Sequence, residues 1–275
     1  DTHKYSSGKV LVIAGSGAYP GAACFTANAV LKSGAGSCFL AFPKSIKQVA
    51  QKKVDAAIVY PYLDNKTEYL QEINLVELDA KIKWADVIAI GPGLGREEAT
   101  LATVRKLIAE NKNKLMVIDA DGIYAPSGGN YYKLNLSNKI LTPHHKEFAD
   151  LIGISLEELE KDLASYGRKF AEENNCWLVL KGAPTVIFTP GGEMLINSTG
   201  NPGMAKFGTG DVLTGIIAGF IAQSKDIESA LISAVYLHSL SADLLLDKKT
   251  EYSFTAKDIL ENLPDAIKFI RKSII

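Results

Sequence analysis

The chain has 275 residues, 47% of them hydrophobic and 22% charged, with a formal net charge of −1 at pH 7. This length is sufficient for a large domain with a substantial core, and the near-zero charge and the short apolar runs (the longest is 212–222) exclude a general attraction to nucleic acid or to membranes. The scattered residues Cys24, Cys38 and Cys176 indicate buried thiols in a reducing, cytoplasmic compartment.

Short apolar segments alternate with helical patterns along most of the chain. The apolar segments predict strands at 10–14, 37–42, 56–60, 87–90, 115–119, 139–141, 177–180, 185–188 and 194–196. Helices are predicted at 21–33, 97–111, 155–174, 211–223, 227–246, 255–263 and 264–274. Continuous apolar strands are typical of parallel sheets covered on both faces. The order therefore predicts one doubly wound α/β domain over residues 1–275, with a mainly parallel central sheet flanked by helices and a helical C-terminal tail.

The most informative stretch is GNPGMAKFGTGD at residues 200–211, because an apolar helix pattern follows it at once. The backbone amides of Gly208, Thr209 and Gly210 are expected to point at one spot at the N-terminus of that helix. Such a spot favours an anion, most often phosphate. Asp211 lies at its rim, where a carboxylate suits a proton acceptor or a ligand of metal-bound water. A glycine turn before a core helix is the alternative interpretation.

Two predicted strands end in residues that suit a ligand site, since doubly wound sheets bind ligands at the carboxyl ends of their strands. Strand 87–90 is followed by GPGLG at residues 91–95, whose glycines allow close approach to the backbone; a tight turn is the alternative. Strand 115–119 ends at Asp119, and Asp121 follows it closely; two carboxylates here suit Mg²⁺. Helix capping by Asp121 is the alternative.

Two further strand ends carry charged or titratable side chains. Pro143 predicts the start of a helix, which places His144 and Glu147 three residues apart on one helical face. They are candidates to share a metal-bound phosphate or a substrate. Lys181 follows strand 177–180 and is a candidate to contact nucleotide phosphate or ribose, with a solvated charge as the alternative. His145 is interpreted as a surface residue, and His238 as a hydrogen-bonded packing residue.

Taken together, these segments resemble the ribokinase-like superfamily and, within it, the NAD(P)H-hydrate dehydratase family. The long signature at 200–211 carries most of the resemblance, since GxGD alone occurs throughout the superfamily. The opening pattern is matched by His3-Lys4 and by VIAGS at 12–16, followed by YPGAA at 19–23. SGAG at 33–36 and GPGLG at 91–95 complete the match.

The resemblance implies a repair reaction on hydrated NADH or NADPH. ADP or ATP would phosphorylate the ring hydroxyl of the (S)-hydrate, with Mg²⁺ as cofactor. Phosphate is a better leaving group than hydroxide, so its elimination with a ring proton would restore the dihydronicotinamide. A small-molecule kinase of the same superfamily, such as a hydroxyethylthiazole or hydroxymethylpyrimidine kinase, is the alternative. A nucleotide-binding module without catalysis is a further one.

The resemblance also implies roles for individual residues. Asp211 would be the catalytic base, with an anion hole formed by Gly208, Thr209 and Gly210. The hydrated dinucleotide would contact Ala35, Gly95, His144 and Asp211. The nucleotide would contact Lys181, Gly182, Ala183, Pro184, Thr185, Asn201 and Gly210. Glu147 resembles the glutamate that organises Mg²⁺ through a bound water.

The sequence departs from the family pattern at two places. His145-Lys146 replaces the usual Pro-Gly, and Lys206-Phe207 replaces the usual Thr-Gly before GTGD. Lys206 is a candidate for an additional phosphate contact. The resemblance further implies a homo-oligomer, for instance a tetramer, and leaves open whether an epimerase domain precedes this chain in a longer protein. The small-residue helix at 21–33 suits either the core or a subunit interface.

Overall fold

A single mixed sheet forms the centre of the fold. The computed structural model describes residues 7–127, 131–224 and 226–274. The strands in these residues are β1 (Lys9–Ile13), β2 (Ser37–Pro43), β3 (Ile58–Tyr62), β4 (Val87–Ile90), β5 (Leu115–Ile118), β6 (Lys139–Leu141), β7 (Trp177–Leu180), β8 (Val186–Phe188) and β9 (Met194–Ile196). They lie in the order β3-β2-β1-β4-β5-β6-β7-β8-β9.

The sheet is parallel from β3 to β7, and β8 runs antiparallel to both of its neighbours, β7 and β9. The predicted mainly parallel sheet is thereby confirmed. The strand order reverses at β1, which pairs with β2 on one side and with β4 on the other. In doubly wound sheets a crevice forms beyond the carboxyl ends of the strands at such a reversal.

Helices cover both faces of the sheet. They are α1 (Pro20–Lys32), α2 (Lys47–Lys53), α3 (Ile73–Trp84), α4 (Glu98–Glu110), α5 (Asp121–Tyr124), α6 (His145–Ile152), α7 (Leu156–Lys161), α8 (Leu163–Asn174), α9 (Thr209–Gln223), α10 (Ile227–Asp243) and α11 (Ala256–Ile274). Val10 and Val12 of β1 face the core formed with α1, α9 and α10, whereas Leu11 and Ile13 face α3 to α8. This two-sided burial explains why the strands are apolar throughout.

Two helix predictions differ from the structure. The predicted helix at 155–174 is divided into α7 and α8 at Asp162, whose carboxylate accepts the amide of Ser165 at 3.2 Å and caps α8. The two predicted C-terminal helices form one helix, α11, with Pro264 inside it. The buried residues Leu260 and Leu263 continue the apolar stripe up to this proline, so core packing offsets the cost of the missing hydrogen bond.

The small-residue helix α1 packs in the core against α9, as in the first of its two predicted uses. A Cβ on Gly215 of α9 would lie 2.3 Å from the carbonyl oxygen of Thr26, and one on Gly219 would lie 2.0 Å from Ser33 Oγ. The two helices therefore touch through their backbones. Thr26 Oγ1 also donates to the carbonyl of Asp211 at 3.2 Å, so this contact fixes the start of α9.

One stretch, Ile227–Asp247, is long and apolar enough to span a membrane by length and composition. The prediction from continuous apolar runs did not identify it, because serine and histidine interrupt its sequence. In the fold, 56% of its most apolar window is buried, and α10 packs between α9 and α11. The stretch therefore has the packing of a core helix.

Candidate active site

The N-terminus of α9 forms the predicted anion site. Gly208 precedes the helix with a φ of 90°, and a Cβ there would lie 2.9 Å from the ring of Phe25 and 3.0 Å from Ala256. Only glycine fits this position without strain. The amide of Thr209 donates to the carbonyl of Lys206 at 3.3 Å. The amides of Gly210 and Asp211 follow in the first helical turn, where a helix offers no acceptor four residues back. These amides, together with the helix dipole, suit an anionic ligand.

A buried ion pair lies beneath this site. Lys181 Nζ is 2.6 Å from Asp119 Oδ1, and the Asp119 side chain is 1% exposed. The same oxygen accepts the hydroxyl of Thr142 at 2.8 Å, and Oδ2 accepts the hydroxyl of Thr214 at 2.7 Å. The prediction of Asp119 as a Mg²⁺ ligand is therefore corrected, because its oxygens already serve three donors. Asp119 instead holds Lys181, which is not a solvated charge.

The surroundings shift the protonation of both charged groups at the site. Burial and the nearby Asp119 carboxylate together raise the pKa of Asp211 to about 7, and the charge of Lys181 acts in the opposite direction. Burial lowers the pKa of Lys181, but Asp119 and Glu147 outweigh burial, so the pKa is raised. Lys181 thus stays charged while Asp211 titrates near neutral pH. A base with such a pKa is well matched to proton abstraction.

His144 and Glu147 lie together at the start of α6, with the predicted spacing. Glu147 Oε2 accepts the amide of His144 at 2.9 Å, and His144 Nδ1 accepts the amide of Glu147 at 3.2 Å, which forms a reciprocal cap. His144 Nε2 lies 3.5 Å from Glu147 Oε1. The imidazole is 52% exposed and the carboxylate 6%. His144 is therefore accessible to a ligand, and Glu147 orients it from below.

Asp121 fixes the glycine turn after β4. Its Oδ2 accepts the amide of Gly95 at 3.0 Å, and its Oδ1 accepts Arg96 Nε–H at 2.9 Å. The Arg96 guanidinium in turn stacks on the ring of Tyr124 at 3.6 Å. Neither predicted role of Asp121, metal binding or helix capping, matches this geometry, because both oxygens hold the loop. Gly95 is thereby placed at the carboxyl edge of the sheet, near the start of α5.

The loop between β7 and β8 presents its backbone to solvent. Gly182, Ala183 and Pro184 are exposed, whereas Lys181 before them is mostly covered. Thr185 Oγ1 donates to the carbonyl of Gly182 at 3.3 Å and closes the turn. A Cβ on Gly182 would lie 2.7 Å from His145 Nε2, so His145 supports the loop from beneath. His145 is thus a packing residue of this loop and not an isolated surface residue.

Asn201 and Lys206 organise the loop that leads to the anion site. Asn201 Oδ1 accepts the amide of Gly203 at 3.0 Å, and its Nδ2 donates to Asp243 Oδ1 at 2.9 Å. Lys206 Nζ donates to three carbonyl oxygens, those of Glu251 (2.9 Å), Tyr252 (3.1 Å) and Phe254 (2.6 Å). The prediction of a phosphate contact by Lys206 is therefore wrong, because the ammonium donates its three protons to the carbonyls of the 251–254 loop.

Comparison of the whole sequence with known protein families points to the same kind of site. A family model described as NAD(P)H-hydrate dehydratase matches residues 10–265. The chain belongs to the NAD(P)H-hydrate dehydratase family. Family membership favours a dehydratase over the small-molecule kinase that the sequence left as an alternative.

Relatives within the NAD(P)H-hydrate dehydratase family cover nearly the whole chain. A bifunctional NAD(P)H-hydrate repair enzyme from Thermofilum pendens is 35% identical, over 99% of this chain and 52% of its own length. The ADP-dependent (S)-NAD(P)H-hydrate dehydratase of Bacillus subtilis is 31% identical, over 96% of this chain and 90% of its own length. This chain therefore spans about half the length of the bifunctional relative.

A solved structure from the same family has the same fold. The ADP/ATP-dependent NAD(P)H-hydrate dehydratase from Bacillus subtilis, co-crystallised with ATP/Mg²⁺, superposes with a TM-score of 0.81 at 30% identity. The match covers 98% of this chain and 91% of that one. The predicted ribokinase-like α/β architecture is confirmed by this likeness and by the strand order.

Ala35 is the residue that the structure does not bring to the site. It precedes β2, because the 13 residues of α1 carry the chain about 20 Å back to the amino edge of the sheet. Ala35 is also buried. A contact with a ligand held at Asp211 of the same chain is therefore not supported. His3-Lys4, the start of the family's opening pattern, lies outside the described residues.

His238 lies beneath the anion site and packs as predicted. It is buried on α10, where burial lowers its pKa to about 4 although a hydrogen bond to the Thr209 backbone acts in the opposite direction. The imidazole is therefore neutral at physiological pH. Neither its Nε2 nor Thr209 Oγ1 has a hydrogen-bond partner among the described residues.

Proposed function

We propose that this chain dehydrates the (S)-hydrates of NADH and NADPH with ADP or ATP as the phosphoryl donor. The observation that carries the proposal is the carboxylate of Asp211, which titrates near pH 7 at the mouth of a helix N-terminus. A base and a phosphate-binding nest at one spot are what phosphorylation of a hydroxyl requires. Family membership supports hydrated dinucleotides as the substrate class.

The reaction begins with the ring hydroxyl of the hydrate. Asp211 accepts its proton as the oxygen bonds to the terminal phosphorus of the nucleotide, and the bond to the bridging oxygen breaks to release AMP or ADP. The amides of Gly208 and Gly210 stabilise the charge on the transferring phosphoryl group, whereas that of Thr209 is engaged with the Lys206 carbonyl. The carbon–oxygen bond then breaks with assistance from the ring nitrogen lone pair. Loss of phosphate and of one ring proton gives the dihydronicotinamide.

The nucleotide fits the side of the site formed by Lys181. We assign its phosphates to Lys181, the amide of Gly210 and the backbone near Asn201, since the Asn201 side chain is engaged with Asp243. The exposed turn at Gly182, Ala183, Pro184 and Thr185 borders the rest of the nucleotide. We assign the hydrated dinucleotide to Gly95, His144 and Asp211. A contact from Ala35 would require a second copy of the chain.

The residues at the site fit Mg²⁺ bound mainly by phosphates and water. In the described parts of the chain, no three His, Cys, Asp or Glu side chains lie close enough to hold a metal ion. Mg²⁺ is commonly bound by one or two carboxylates together with substrate phosphates, which matches this sparse set of ligands. Glu147, which keeps an oxygen beside His144, would hold it through water. When bound, the ion would neutralise phosphate charge.

A recovery assay tests the proposal. The protein is supplied with hydrated NADH and Mg²⁺, with ADP and with ATP in separate reactions, and absorbance of the dihydronicotinamide is followed in the near ultraviolet. The proposal expects absorbance to return together with one phosphate per turnover. Accumulation of a stable phosphorylated alcohol would instead support the small-molecule kinase. The same assay with hydrated NADPH measures the preference between the two substrates.

We further propose a cytoplasmic homo-oligomer that has small-molecule substrates and no nucleic-acid or membrane partner. The buried free thiols of Cys24, Cys38 and Cys176 support a reducing compartment. The net charge of −1 supports the absence of nucleic-acid binding. Sedimentation analysis of the purified protein tests the oligomer. The epimerase domain suggested by the resemblance stays a prediction.

A further inference from the structure

Phe207 is a fully exposed phenyl ring directly beside the anion site. The chain on both sides of it is fixed. Lys206 is bonded to three carbonyl oxygens of the 251–254 loop, and Gly208 is wedged between Phe25 and Ala256. The ring is therefore held outward by an anchored loop. A ligand that covers it would gain apolar contact without having to order the backbone.

The anion site has two distinct sides. A Cβ on Gly210 would lie 3.3 Å from Lys181 Nζ, whereas one on Gly208 would lie 2.9 Å from the ring of Phe25 on α1. Lys181 thus marks one side and α1 the other. Phosphoryl transfer places the attacking and leaving oxygens roughly in line through the phosphorus. With the nucleotide on the Lys181 side, the hydroxyl-bearing acceptor comes from the side of α1 and Phe207.

The α1 side also holds the groups that an acceptor would meet. Thr26 of α1 donates to the backbone carbonyl of Asp211, so the backbone that carries the base packs on this wall. Tyr19 at the start of α1 is 57% exposed and lies against Gly93, whose Cβ would be 2.8 Å from that of Tyr19. Gly93 belongs to the same turn as Gly95. Tyr19 thus adds a second exposed aromatic residue on the α1 side, next to the turn after β4.

We propose that Phe207 is a specificity-determining residue that packs on the ring bearing the hydroxyl in the hydrated dinucleotide. Contact with a flat aromatic side chain holds that ring at the site beside Asp211. The inference rests on the proposed function. It assigns Phe207 to acceptor affinity and not to nucleotide affinity.

Kinetics of Phe207→Ala and Phe207→Tyr test this assignment. For Phe207→Ala, the KM for hydrated NADH is expected to rise about 10-fold, a typical effect of losing one ring contact. The KM for ADP or ATP and the value of kcat should stay within about 2-fold. Phe207→Tyr keeps the ring and should resemble the wild type. Tyr132→Ala, which removes an exposed aromatic ring near the amino edge of the sheet, is the matched control.

A binding experiment separates this inference from the proposed function. NADH fluorescence measures binding of the dinucleotide product without turnover, and Phe207→Ala should weaken it about 10-fold. Failure of the wild type to restore NADH from its hydrate would overturn the proposed function, while the binding comparison would still test the ring contact. The inference would be overturned if Phe207→Ala raised the KM for the nucleotide in place of that for the hydrate, or left all binding and kinetic constants unchanged. A change in the oligomeric mass of Phe207→Ala would also overturn it. Absence of NADH binding by the wild type would overturn both.

Discussion

Lys181 Nζ lies 2.6 Å from Asp119 Oδ1, and this buried pair connects the loop after β7 with the end of β5 directly beneath the anion site. The hydroxyls of Thr142 and Thr214 also donate to this carboxylate, so both of its oxygens are hydrogen-bonded. Lys181 is thereby held beside Gly210 without blocking the amides above it. The positive charge that a phosphate would meet is therefore fixed before any ligand binds.

Asp119→Asn should destabilise the protein by about 3 kcal/mol, because it leaves the charge of Lys181 without its buried partner. Urea denaturation at pH 7.5 measures this loss. Asp79→Asn breaks the exposed pair between Asp79 and Lys83 and should cost less than about 0.5 kcal/mol. Similar losses in the two variants would contradict a special role for the buried pair.

The sequence predicted the position of this site but not the function of its buried carboxylate. The glycines at 200–211 and the apolar strand ends are local features, and the strands at 87–90, 139–141, 177–180 and 194–196 have the predicted bounds. The partners of Asp119 lie 62 residues away at Lys181 and 95 residues away at Thr214. No local pattern links them, so the carboxylate resembled a metal ligand in sequence.

Helix α3 and the role of Lys206 also required tertiary information. Ile73 and Val76 of α3 are exposed, which blurs the apolar periodicity that predicts a helix. Lys206 resembled a phosphate ligand because of its neighbours in sequence. Its actual acceptors are carbonyl groups more than 40 residues further along the chain. The catalytic and binding roles assigned from the family resemblance stay predictions.

The kcat/KM for the hydrated substrate should rise with pH through about 7 and then level off. Asp211 has its pKa near 7, and only its deprotonated form can accept a proton from the hydroxyl. Rates between pH 5.5 and 9 measure this profile. Lys181→Met removes the charge that lowers the pKa of Asp211, so the acid limb should move to higher pH. A profile without an acid limb would remove Asp211 as the base.

Asp211→Asn should lower turnover by about 10²–10⁴-fold and yet raise the stability of the folded protein at pH 8. The folded pKa of about 7 exceeds the ordinary value of 3.8, so the folded state binds this proton more tightly. The wild type therefore loses stability as pH rises from about 4 through 7, and the variant lacks that loss. Urea unfolding at pH 5 and pH 8 measures the difference. Equal pH dependence in both proteins would contradict the raised pKa.

Gly210→Ala should impair phosphoryl transfer by crowding the nest. The added Cβ would lie 3.3 Å from Lys181 Nζ and 4.0 Å from Asp119 Oδ2, so it would displace the ammonium that is paired with Asp119. We expect kcat to fall by about 10-fold or more, as for the loss of an oxyanion contact. Gly21→Ala is the matched control, because no atom lies within 4 Å of its Cβ. Equal rates for the two variants would mean that the loop is only a turn.

Gly215→Ala should weaken the contact between α1 and α9 that positions Asp211. The added Cβ would lie 2.3 Å from the carbonyl oxygen of Thr26, and a backbone atom cannot move aside as a side chain can. Separating the helices should cost about 1–3 kcal/mol, as overpacking generally does. It should also stretch the 3.2 Å hydrogen bond from Thr26 Oγ1 to Asp211 and lower kcat. Urea denaturation and turnover of Gly215→Ala, compared with Gly21→Ala, measure both effects. Full stability together with full activity would show that the two helices can separate without disturbing the base.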